Sequence, residues 1–176
     1  MASISEFRAQ FQGGARPTLY NVSLVFPIGV ADNQASEKFN FMAKGSQLPG
    51  VTAGLIEVPY MGRTVKLAGD RQFQPITFQV VNDNDWMVRN AFERWFNLIN
   101  QHEENVGAVR PTEYQVDMVL DQLDRAGNVI ASYTLVGAFP SDLSPIELGY
   151  DQVDTIEEFS VTMEYQYFVR PEAGIV

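Results

Sequence analysis

Residues 58–85 read VPYMGRTVKLAGDRQFQPITFQVVNDND and lead directly into WMVRNAFERWFNLINQH, residues 86–102. Leu55–Tyr60 and Thr64–Leu67 look like short strands on either side of Met61-Gly62, because two β-prone runs separated by a two-residue turn containing glycine make a hairpin. Gln74–Val81 is a stronger strand, with Ile76, Phe78 and Val80 on one face and Thr77 and Gln79 on the other. Asn82–Asp85 supplies side chains of the type that accept the free amides of a first helical turn. After it, Val88, Ala91, Phe92, Trp95 and Ile99 recur at helical spacing, which predicts a helix laying an aromatic stripe on a sheet. Arg89 and Glu93 form an i,i+4 pair in the less favourable order of charges. What this stretch lacks is any obvious catalytic group. A segment so specified without chemistry suits a chain that assembles.

The remaining chain reads as mainly β. Residues 1–16 carry Phe7 and Phe11 and reach Gly13-Gly14, an aromatic arm with no more than a helical turn, whose phenylalanines need a surface. Pro17–Phe26 reads as a first strand, Pro27–Ser36 as a loop, and Glu37–Lys44 as a second strand and hairpin mate, since Phe39, Phe41 and Ala43 alternate with polar residues. Gly45–Gly54 holds three glycines and a proline and reads as a long, functional loop. Glu113–Leu123 and Val129–Phe139 form a long hairpin. With Asp124 opposite Val129, Leu120 faces Tyr133 and Met118 faces Leu135. The other face then holds Asp121 opposite Ser132, Asp117 opposite Val136, and Thr134 beside Val119, which separates an apolar face from a wet, acidic one. Pro140–Tyr150 reads as a turn with a short strand at Ile146–Leu148, and Thr155–Phe168 as a long closing strand. Seven or eight mostly antiparallel strands and one helix imply a barrel or two packed sheets with a helix on the flank.

Composition narrows the function. The 176 residues are 45% hydrophobic, enough for a core in a single domain. There is no cysteine, which removes disulfides, thiolate zinc sites and cysteine nucleophiles and fits a reducing compartment. The start MASISEF has neither a basic n-region nor an apolar run, and no stretch approaches a membrane span. The net charge of −10 is lopsided. Residues 1–100 carry 9 basic and 8 acidic side chains, whereas residues 101–176 carry 3 and 14. That distribution permits head-to-tail complementarity between copies and opposes tight nucleic-acid binding.

Tests for chemistry fail in turn. The single histidine, His102, follows the helix beside Glu103-Glu104, with no Gly-x-Ser-x-Gly elbow for a serine triad. Asp83 and Asp85 lack the glycine and terminal glutamate of a calcium loop. The adjacent pairs Glu103-Glu104 and Glu157-Glu158 do not suit paired-carboxylate catalysis, and Gly13-Gly14 fits no phosphate-binding motif. Trp86, Phe92, Trp95 and Phe96 read as core. No enzyme, cofactor or metal site is expected. A small acidic ligand-binding barrel, acting as a monomer, is the alternative these residues leave open.

Several segments together resemble the tail tube protein of contractile-tailed bacteriophages. They are Ala15-Arg16-Pro17 with Leu19-Tyr20-x-Val22, Leu48-Pro49-Gly50, Val58–Arg63, Ala68-Gly69-Asp70-Arg71-x-Phe73, and Val80-Val81-Asn82-Asp83. Arg89 with Phe92-Glu93-x-Trp95, Gly137-x-Phe139-Pro140 and the closing strand complete the ordered set. Pro27–Ser36 and the tail after Phe168 depart from the pattern. The resemblance implies two packed antiparallel sheets forming a barrel with one flanking helix, related to the type VI secretion tube protein. It implies one domain over 1–176, with 1–16 an N-terminal arm and 45–73 a contact region. It further implies a virion protein assembled in the bacterial cytoplasm, whose homohexameric rings stack into a tube inside a contractile sheath, with baseplate and tail-terminator proteins at the ends. DNA would pass through the lumen without specific binding. Carried onto this chain, Leu48, Pro49, Gly50, Arg63, Lys66, Asp70 and Arg71 would contact neighbouring subunits. Asp117, Asp121, Ser132 and Thr134 would line the lumen. The tube of a phage-like injection particle or of a type VI system is the variant reading.

Overall fold

The computed structural model describes residues 3–11 and 14–171. Gly13 of the Gly13-Gly14 pair and the end of the tail after Phe168 lie outside them. Thirteen elements follow one another among the described residues: α1 (Ile4–Phe11), β1 (Tyr20–Leu24), α2 (Asn33–Met42), β2 (Ala43–Gly45), β3 (Val51–Tyr60), β4 (Arg63–Phe73), β5 (Ile76–Val81), α3 (Met87–Ile99), α4 (Pro111–Tyr114), β6 (Val116–Leu123), β7 (Val129–Leu143), β8 (Glu158–Glu164) and β9 (Tyr167–Val169).

Seven strands make one antiparallel sheet in the order β1-β6-β7-β8-β5-β2, with β9 added to β7. The sheet curls into a barrel-like layer that is nearly closed. Helix α2 fills the gap between its first and last strands. Asn40 and Ser36 on α2 accept the backbone amides of Leu24 and Phe26, and the Tyr20 hydroxyl donates to the Ala43 carbonyl at 2.8 Å. The sheet edge thus ends on helix side chains instead of on water.

The interior follows the period-2 pattern. Val22, Leu24, Met118, Leu120, Leu135, Ile76, Phe78, Val80, Phe159, Val161 and Met163 point inward and are buried. At its centre Phe26, Phe39, Phe92 and Trp95 meet edge-on or stacked, with Phe26 5.1 Å from Phe92 and Phe39 5.8 Å from Phe78. The stripe predicted on α3 is the one it buries: Val88, Ala91, Phe92 and Trp95. Arg89 bonds Glu93 at 2.8 Å, donates to the Ser144 carbonyl and stacks over Phe159, so this helix is clamped to the sheet.

Several sequence expectations change. Among the described residues four helices stand where one was expected, the N-terminal arm forms the eight-residue helix Ile4–Phe11, and β3 begins at Val51 inside the Gly45–Gly54 stretch read as a loop. Glu37–Lys44 is largely helix, not strand, and β1 pairs with β6, not with β2. Asp32 caps α2 by accepting the Ala35 amide at 3.1 Å, and the buried set Ala35, Ser36, Phe39 has helical spacing while Phe41 points to solvent. The cap of α3 is shifted: Trp86 occupies the capping position with a left-handed φ of 55°, and Asp85 accepts the Met87 amide from one residue earlier. Asp83 and Asp85 are also held by Lys38 on α2, which fastens the two helices together. The residues of Pro140–Tyr150 divide between the end of β7, which continues through Pro140 to Leu143, and a segment with no strand at Ile146–Leu148. The closing strand breaks into β8 and β9, because Gln166 turns its amide to Val136.

In the β6–β7 hairpin, Leu120 opposes Tyr133, Met118 opposes Leu135, Asp121 opposes Ser132 and Val119 opposes Thr134, as the alternation requires. Two bulges break the ladder at its ends. Leu123, not Asp124, pairs with Val129. Val136 and Gly137 together face Asp117, whose carboxylate accepts the Gly137 amide at 3.0 Å where φ is 66°.

Candidate assembly interface

Strands β3 and β4 form a separate two-stranded sheet that stands away from the barrel. Its turn is Met61-Gly62, with φ of 46° and 77°, the two positive values of a type I′ turn matching the twist of the strands. From that turn the register runs Tyr60↔Arg63, Pro59↔Thr64, Val58↔Val65, Glu57↔Lys66, Ile56↔Leu67 and Leu55↔Ala68. Because opposed residues share a face, Ile56, Val58, Tyr60, Val65 and Leu67 form one apolar stripe with Arg63 at its tip. The reverse face carries the Glu57–Lys66 pair at 3.8 Å.

Lower down, the ladder shifts at Gly54. A Cβ at Gly69 would stand 3.1 Å from the Gly54 carbonyl carbon, so a side chain there would crowd the partner strand's backbone. The hairpin is anchored at its root alone. Phe73 meets Phe168 edge-on at 5.6 Å and Tyr165 at 6.1 Å, and Gln74 donates to the Gly50 carbonyl and the Thr52 hydroxyl.

Every residue of β3 is exposed, and Ile56, Val58, Tyr60, Val65 and Leu67 are each between 44% and 65% accessible. A lone two-stranded sheet is marginal in water, and an uncovered apolar stripe of this kind marks a protein-binding surface. The arrangement has the chemistry of docking: backbone edges, aliphatic side chains and one cation, with no group poised for proton transfer or nucleophilic attack. Among the described residues no cluster of three or more His, Asp or Glu could hold a metal. His102 lines an open groove beside Asn90, Glu93, Arg94 and Asp142.

The sequence-derived contact residues fall along this arm. Leu48, Pro49 and Gly50 lie in the connection into β3, at the root; Arg63 sits at the tip, Lys66 midway, and Asp70 and Arg71 near the base, Arg71 opposite Ala53. They do not form one basic strip, because Arg63 and Lys66 point to opposite faces and Lys66 is matched by Glu57. Asp117, Asp121, Ser132 and Thr134 share the outer face of β6–β7, away from the core. What the sequence does not single out as a surface is Ser144–Glu157, where Leu148, Tyr150, Val153 and Ile156 are exposed among carboxylates. The available signal was an apolar residue every two or three positions in a stretch with no strand or helix period.

Residues 15–171 match the family described as phage tail tube protein. The chain belongs to that family. A tail tube protein of Serratia phage KSP90 is 35% identical over 171 residues, covering 94% of this chain and 95% of that protein. Tail tube protein gp19 of Enterobacteria phage T4 is 26% identical, with 94% and 98% covered. Among solved structures, a chain of the sheath–tube complex of an extracellular contractile injection system shares the fold, with a TM-score of 0.60 at 15% identity over 97% of this chain and 98% of that one. As a tail tube family member the protein is a structural component of the virion tail. The family is a structural one, which displaces the ligand-binding monomer as a reading.

Proposed function

We propose that copies of this chain close into homohexameric rings and that the rings stack into the tail tube, within a contractile sheath, as the conduit for the genome. The exposed apolar face of the β3–β4 hairpin carries this reading, since it needs a neighbouring surface that one chain does not supply. Residues Leu48–Gly50, Arg63, Lys66, Asp70 and Arg71 lie on or at the root of that arm and serve as subunit contacts. Sheath, baseplate and terminator proteins are the expected tail partners; the injection-system chain of the same fold comes from a sheath–tube complex. Subunits fold and assemble in the cytoplasm of the host bacterium.

The barrel strands β1, β5, β6, β7 and β8 contain Asp117, Asp121, Asp142, Glu158 and Glu164 and no lysine or arginine, while Lys44 on β2 is paired with Glu158. A lumen lined by Asp117, Asp121, Ser132 and Thr134 repels phosphates; with no cation there to neutralise them, no counterions are released, the term that drives DNA binding is absent, and DNA slides past. Negative-stain electron microscopy of the purified protein tests the proposal. Rings or hollow tubes support it. A persistent monomer at high concentration, with no rings, overturns it.

A further inference from the structure

We infer that the tip of the hairpin docks into a groove formed by Ser144–Glu158 of a second copy, in a head-to-tail contact along the strand direction. The inference rests on the tube-subunit reading and names the surface that receives the arm. Three observations carry it.

The first is position. Both roots of the hairpin lie at the Ile76 end of β5: Phe73 precedes that strand by two residues, and the antiparallel partner β2 runs toward the same end. Ser144–Glu158 closes the other end, where Glu158 pairs with Val81 and the Glu157 carbonyl accepts the Asn82 amide at 2.8 Å. The two surfaces therefore sit at opposite poles of the β5–β8 pair. The six residues of β5 span about 20 Å, and the ten of β3 make an arm about 30 Å long from its root. Within one chain both surfaces stay uncovered, with Tyr60, Met61, Leu148 and Tyr150 all exposed, so the arm is free to meet the groove of a copy displaced along the strands. Such a contact is heterologous and, when it does not close, propagates.

The second is shape. Ser144–Glu158 wraps an open groove lined by Ile146, Leu148, Gln152, Thr155 and Ile156, with Tyr150 and Val153 exposed at its rim. The hairpin offers Tyr60 and Met61 at its tip, the latter 87% exposed. The third is charge. Glu147, Asp151 and Asp154 form no ion pair among the described residues, and the segment holds no lysine or arginine. On the hairpin Arg63 and Arg71 likewise form none, whereas Lys66 is already matched by Glu57. Free cations on the arm face free carboxylates at the groove.

The absence of native cysteine makes a crosslinking test clean. Met61→Cys and Val153→Cys subunits, prepared separately, are mixed, assembled and treated with a short bismaleimide. The expected product is a crosslinked dimer from the mixture and nothing above background from either variant alone. The double variant M61C/V153C should yield a ladder of dimers, trimers and longer species, because each subunit then carries both ends of the contact. Dimers from M61C alone indicate a two-fold contact and overturn the inference; so do tubes that form without crosslinking. Where M61C itself blocks assembly, Tyr60→Cys repeats the test one residue down the arm. Wild-type protein that forms no tubes overturns the tube reading, and this inference with it.

Discussion

Asn40 on α2 accepts the backbone amide of Leu24 on β1 at 3.0 Å, so a helix side chain closes the edge at which the barrel sheet would otherwise stop. Leu24 is fully buried, and no water reaches its amide from the core side. Asn40→Leu removes the acceptor while keeping the volume. It should cost about 1–3 kcal/mol, the penalty of an unsatisfied buried donor. Urea unfolding of the isolated subunit measures it; a loss below about 0.5 kcal/mol means that another group takes over the Leu24 amide.

The same helix marks where the sequence misleads. Phe39, Phe41 and Ala43 alternate as in a strand, yet Phe41 faces solvent, and burial follows Ala35, Ser36 and Phe39. The Asp32 cap was the legible sign of a helix, and the alternation of three residues outweighed it only on paper. Where the two faces of an element differ sharply, as in β6–β7, the register was readable to the residue; only the bulges at Asp117 and Ile130 were not, since nothing in a pattern of two announces an extra residue. The hairpin is the opposite case. Its turn was plain from Met61-Gly62, but its length was not, because both strands are exposed and the alternation seen at Ile56, Val58, Val65 and Leu67 lapses below Gly54 and Gly69. The candidate contacts could be named but not divided between faces without the register.

Trp95 is fully buried, stacks on Phe92 and donates its indole N–H to the Tyr114 carbonyl at 2.8 Å, tying α3 to α4. Trp95→Ala should destabilise the subunit by about 3–5 kcal/mol through lost contacts and the cavity left behind. Thermal or urea unfolding reads this directly. A loss under about 1 kcal/mol would mean that the site collapses around the deletion.

Lys38 bridges Asp83 and Asp85, and the ion pairs hold both carboxyls below their usual 3.8 and the ammonium above its usual 10.5. The carboxylate contribution is complete above pH 3.8 and disappears as pH falls through the lowered folded values. The lysine contribution is complete below pH 10.5 and disappears as pH rises through the raised folded value. Lys38→Met should flatten melting temperature against pH on both limbs. Parallel curves for the two proteins would show that the bridge does not couple α2 to α3. These side chains are partly exposed, so added salt should shrink the effect in wild type.

Arg63 and Arg71 are exposed and form no ion pair among the described residues, and neither belongs to the core. Reversing both with Arg63→Glu and Arg71→Glu should leave monomer stability within about 0.5 kcal/mol. Tube formation, scored by sedimentation and electron microscopy, should fall, because the arm would now present carboxylates to the acidic half of its neighbour. Tubes at wild-type yield from this variant would show that the arm's charge plays no part in assembly.

Gly69 separates the two properties of the arm, its internal geometry and its independence from the barrel. A side chain there would press on the backbone of Gly54, at 3.1 Å from its carbonyl carbon and 3.2 Å from the oxygen, and backbone on the partner strand does not yield as a flexible side chain would. Gly69→Val should therefore force β3 and β4 apart at the bulge and redirect what lies beyond it, including Tyr60 and Arg63, which stand six residues nearer the tip along their own strands, about 20 Å away at about 3.3 Å per residue. The barrel core contains no residue of the arm except Phe73 at its root, which packs against the core's rim. The melting temperature of the subunit should then stay near wild type while assembly is lost. A large drop in melting temperature would instead tie the arm's conformation to the barrel, and unchanged assembly would show that the strands accommodate the valine without moving the tip.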